Sequence, residues 1–91
     1  MKLYKTYYMR LPIIKTLVES GEFDEDYMEE AIEVLLLISE ARGVKDEEME
    51  VIGELISNIS GAQEVMREIK NGTPQKEALN GFMKRVVGAI N

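Results

Sequence analysis

Cysteine, histidine and tryptophan are all missing from this chain of 91 residues. Without cysteine there is neither a disulfide nor thiol chemistry, and the redox compartment is left open. Without histidine, the Ser-His and Cys-His nucleophile pairs, the usual zinc sites and the carboxylate–histidine di-iron motif of helix bundles are excluded. Catalysis would fall to Asp, Glu, Lys or Tyr. The longest apolar run, Val34-Leu35-Leu36-Leu37-Ile38, is far short of the roughly 20 residues that span a bilayer. The opening Met1-Lys2-Leu3-Tyr4-Lys5 lacks the apolar stretch of a secretory signal. Together with the absence of cysteine, this makes the cytoplasm the expected location. The glycines at 53, 61, 72, 81 and 88 form no phosphate-cradling run, so no cofactor is expected.

What is present is apolar and periodic. Hydrophobic residues make up 45% of the chain, enough for one small globular domain. The net charge of −6 is unevenly spread: residues 1–18 carry +4, residues 19–54 carry −12 and residues 55–91 carry +2. An acidic middle repels nucleic acid and anionic lipid, so neither direct nucleic-acid binding nor a membrane partner is expected. The plain reading of that middle is a solvated acidic face. A sharper one is a surface that imitates phosphate and occupies a basic groove on another protein, and a third is head-to-tail association with the basic start.

The punctuation predicts four helices, at about 12–20, 25–42, 47–71 and 74–90, packed as antiparallel neighbours in a compact all-α bundle with a short N-terminal arm. Both prolines stand where a helix begins, Pro12 after Leu11 and Pro74 after the N-cap candidate Thr73. Gly21, Gly43 and Gly72 are the predicted stops. Asp24 and Asp46 are the predicted N-caps, with Phe23 and Met28 spaced as a hydrophobic staple around the first. Residues 1–8, an extension with Tyr4, Tyr7 and Tyr8 between bases, are expected to pack on the domain formed by residues 9–91.

Two features of the third helix concern helices meeting helices. Ile52, Leu55, Ile59, Ala62, Met66 and Ile69 alternate three and four apart, the spacing that keeps one stripe facing a partner. Gly53, Ser57 and Gly61 form a rail of small residues four apart that lets another backbone come close. The run Val34 to Ile38 is apolar on every side of its helix, and such a helix is surrounded by other helices or by a second copy. Burial on all sides is hard in a domain this small, so a homodimer is expected. Leu36, Leu37, Ile52, Gly53, Leu55, Ser57, Ile59 and Gly61 are the candidate contact residues.

Candidates for chemistry are weaker. Glu29 with Glu33, and Asp26 with Glu30, are carboxylate pairs four apart that can bind a hard cation or act as acid and base. The front of a solvated helix explains them as well. Asp24-Glu25-Asp26 lacks the glycine and closing glutamate of a calcium loop. Of the methionines, Met49, Met66 and Met83 lie on or near core stripes and are read as packing. No catalytic, cofactor-binding or metal-ligating residue is predicted.

Three segments carry a resemblance: Met9-Arg10-Leu11-Pro12-Ile13-Ile14-Lys15; then Asp46-Glu47-Glu48-Met49-Glu50-Val51-Ile52-Gly53-Glu54-Leu55-Ile56-Ser57-Asn58; then Glu77-Ala78-Leu79-Asn80-Gly81-Phe82-Met83-Lys84-Arg85-Val86. Over residues 9–91 the chain resembles a small uncharacterised family of helical proteins from Bacteroidota-type bacteria. The resemblance implies a compact helical domain and brings no catalytic residues. The favoured function is a non-enzymatic protein-binding or accessory module that self-associates. An acidic regulator of a nucleic-acid-handling protein and a structural component of a phage or other particle are the alternatives.

Overall fold

The computed structural model describes residues 10–90, with side chains as far as Val86. The tyrosine arm, and the expected burial of Val87 and Ile90, fall outside the described side chains. Four α-helices follow one another: α1 Leu11–Ser20, α2 Glu25–Ser39, α3 Asp46–Lys70 and α4 Gln75–Ile90. Among the described residues there is no strand, and the all-α expectation stands.

Local chemistry explains most of the boundaries. Pro12 lies in the first turn of α1, where its missing N–H costs no hydrogen bond, and Gly21 closes the helix at φ 72°. Asp24 caps α2, its Oδ1 accepting from the N–H groups of Asp26 at 3.0 Å and Tyr27 at 3.1 Å. Glu25 and Asp26 add negative charge at the positive end of the helix dipole. Phe23 meets Tyr27 edge-on, with ring centroids 5.5 Å apart.

Two boundaries differ from the expectation. α2 stops at Ser39, three residues before Arg42, because the N–H groups of Glu40 and Ala41 turn back to the carbonyls of Leu37 and Ile38 in tight three-residue steps. Gly43, at φ 85°, then reverses the chain. At α3 the N-cap is Lys45, not Asp46: the Glu48 carboxylate reaches back to the Lys45 N–H at 3.0 Å, and Asp46 is already helical.

α3 runs unbroken through Gly61 and is the axis of the fold, touching each of the other three helices. Glu25 pairs with Arg67, and Gln63 donates to Glu29, so α2 lies antiparallel to α3. α1 runs the other way: Arg10 meets Glu54 and Asn58, and Ile14 lies against Gly61. α1 and α3 thus run in the same direction, as the alternation of antiparallel successive helices requires. The core is Ile14, Ala62, Val65, Ala78, Leu79 and Phe82, drawn from α1, α3 and α4. Met28 is the buried residue of α2.

Candidate helix-binding surface

The deepest line on α3 is Asn58, Gly61, Ala62 and Val65, all buried. It is rotated from the predicted seam. Of the predicted seam, Ala62 is buried, Ile52, Ile59, Met66 and Ile69 are half-buried, and Leu55 is exposed. Ile59 shares an open groove of about 380 Å³ with Tyr27, Met28, Ala31 and Val34 of α2 and with Leu17 of α1. The predicted stripe therefore includes a real contact, but with α2, while the main seam faces α1 and α4.

Asn58 is the part of that seam that an apolar pattern misses. It is 1% exposed, accepts from the Arg10 N–H at 2.8 Å and donates to the Glu54 carbonyl at 2.8 Å. An asparagine amide offers both functions at once, so one side chain ties the entry of α1 to α3. The Arg10 guanidinium adds an ion pair with Glu54.

The small-residue rail divides. A Cβ at Gly61 would lie 2.9 Å from Ile14 Cδ1 and 3.0 Å from Phe82 Cζ, so α1 and α4 close on α3 because that residue has no side chain. A Cβ at Gly53 would meet nothing within 4 Å, and Ser57 is half-buried. Only the Gly61 end of the rail is a close approach within the described residues.

The polar flanks are held by charge. Glu25 reaches Arg67 at 3.0 Å and Lys70 at 3.9 Å, across the α2–α3 face. Arg85 spans Glu64 at 2.8 Å and Glu68 at 3.0 Å between α4 and α3. Its hydrogen bond to Glu64, foremost, raises the guanidinium pKa above its ordinary value, so it stays charged throughout the physiological range. The Glu29 carboxylate is engaged with Gln63 at 2.9 Å, while Asp26, Glu30 and Glu33 are exposed. No group of three acidic side chains among the described residues is placed to hold a metal ion.

The apolar run is not surrounded within the chain. Leu35 is half-buried, but Leu36 is 48% and Leu37 70% exposed, and Val34 and Ile38 are exposed beside them. Of the two coverings expected for this run, other helices or a second copy, helices of the same chain leave it open: α2 packs only on α3 among the described helices, so one flank alone is covered. Met49, read above as core packing, is exposed at the start of α3, as are Val51 and Leu55 in its first half. The exposed apolar residues thus gather on the second half of α2 and the first half of α3, with Phe23 and Tyr27 at the far end of α2. Large contiguous apolar patches on a small protein mark sites of contact with other surfaces.

A family model matches residues 9–91, nearly the whole chain and all four helices. The chain belongs to the family of unknown function DUF6952. No curated protein and no solved structure matches it. No helix among the described residues of this DUF6952 member is long and apolar enough to cross a membrane.

Proposed function

We propose that this DUF6952 protein is a non-enzymatic binding module that self-associates through the outer side of α2. One observation supports the reading: Leu36 and Leu37, adjacent in the run and pointing about 100° apart around the helix, are both largely uncovered. Burying a leucine side chain stabilises by about 1.5–3 kcal/mol, so a few such residues in each copy offset much of the cost of association. Light scattering at micromolar concentration is expected to give twice the chain mass. Leu37→Glu, at a site outside the core, is expected to give a folded monomer. A wild-type monomer across the micromolar range would remove the reading. A cytoplasmic location and a Bacteroidota-type origin belong to the same proposal, checked by cell fractionation and by which genomes encode the family.

A second reading has its own support. Residues 19–54 carry fourteen acids against Arg42 and Lys45, and Glu30, Glu33, Glu40, Glu47 and Glu50 are all exposed. Such a face suits a basic surface on a partner protein. Capture by a basic partner should then weaken steeply as salt rises, because exposed charge pairs are screened. Salt-independent capture would argue against it.

A further inference from the structure

The outer side of α2 changes character along its length. Asp26, Glu30, Glu33 and Leu37 follow at spacings of four, three and four and are all exposed, so they form one outward stripe. Val34 and Ile38 flank Leu37 on one side of that stripe and Leu36 on the other, and all three are exposed. Arg42 and Lys45 come next, just past the end of the helix, exposed and the only bases among residues 19–54. Acid, hydrocarbon and base thus succeed one another along α2 and its exit. The ion pairs among the described residues leave Asp26, Glu30, Glu33, Arg42 and Lys45 out.

That order complements its own reversal. Side by side in parallel, two such helices set Asp26, Glu30 and Glu33 against the same acids of the partner, and like charges brought together oppose association. Antiparallel pairing about the middle of the apolar run does the opposite. Leu36 is the central residue of Val34 to Ile38; Glu30 stands six residues before it and Arg42 six after. A two-fold axis beside Leu36 therefore brings Glu30 of each copy level with the partner's Arg42, while the two apolar runs cover one another. The two contacts act differently. Burial of the leucines supplies the affinity, whereas exposed ion pairs are too weak to drive association and instead select its direction.

We propose that two copies of this chain pair α2 against α2 antiparallel, about a two-fold axis beside Leu36, with Glu30 of each copy facing the partner's Arg42. The pairing rests on the self-association proposed above and adds its direction and its charge contacts. Because the chain has no cysteine, introduced cysteines report on one contact at a time. Glu30→Cys and Arg42→Cys chains, one of them isotope-labelled, are mixed, oxidised mildly and weighed by mass spectrometry. The mixed disulfide is expected to dominate, with little product from either variant alone. Dominant Glu30→Cys self-pairs and Arg42→Cys self-pairs mean parallel helices, and a statistical mixture or no product means contact elsewhere; each overturns the proposal. Light scattering on the unmutated chain keeps the two readings apart: a monomer removes self-association and this geometry together, whereas a dimer with the wrong cross-links sinks the geometry alone. Charge exchange gives a second check at exposed positions outside the core. Arg42→Glu is expected to weaken the dimer about tenfold, because it turns two attractions into two repulsions, and adding Glu30→Arg to the same chain should restore it. Weakening that Glu30→Arg does not reverse overturns the pairing.

Discussion

The two halves of α3 are built from similar residues and meet different surroundings. From Asn58 onwards the helix is enclosed by α1, α2 and α4, and its buried line includes a glycine at the tightest contact. Before Asn58 it lies beside the end of α2, and its apolar residues Val51 and Leu55 are open. α1 is only ten residues long, so it covers one half and stops. The difference teaches that burial here follows the length of the neighbour, not the apolar content of the helix.

The contrast can be broken most forcefully in the enclosed half. Phe82→Ala removes a buried ring from the core and is expected to cost about 3–5 kcal/mol in urea unfolding, whereas Leu55→Ala in the open half should cost less than about 1 kcal/mol. Equal losses would mean that the open half is covered after all. Gly61→Val forces branched carbon against Ile14 and Phe82 and is expected to cost about 1–3 kcal/mol. Asn58→Ala leaves the Arg10 N–H without its acceptor in a part-buried position, with a similar expected loss of about 1–3 kcal/mol. A thermal midpoint unchanged by that substitution would show the tie to be dispensable.

The opposite sign is expected at Gly53, where an added methyl meets nothing and helix propensity improves. Gly53→Ala should stabilise by about 0.5–1 kcal/mol, and a loss in thermal unfolding would place an unseen neighbour over that face. The smallest effect belongs to the flank: Glu25→Gln weakens partly exposed pairs with Arg67 and Lys70 and should cost under about 1 kcal/mol, less still at high salt. A loss independent of salt would mean that Glu25 acts by something other than charge.

The helices themselves were legible in the sequence because their ends carry chemistry. Pro12, Gly21, Asp24, Asn71-Gly72 and Thr73-Pro74 mark boundaries by backbone preference or capping, which do not depend on tertiary context. The rotation of α3 was not legible. Its seam contains Asn58 and Gly61, one polar and one without a side chain, so a count of apolar residues slides to the neighbouring stripe of Ile52, Ile59 and Met66. A mid-helix asparagine framed by Leu55, Ala62 and Val65 was the available signal. The candidate surface was legible as an apolar run, but its exposure depends on α1 being short and on α2 having a single partner, and neither fact resides in residues 34–38.

The tie between Arg10 and Asn58 has a consequence for how the molecule opens. Because the entrance of α1 is clasped by an amide sunk inside the fold, fraying from that end strands a polar group among hydrocarbon. Undocking should consequently be abrupt, with the amide protons of Ile14 to Val18 exchanging as a block at one common rate instead of in a graded series from the tip.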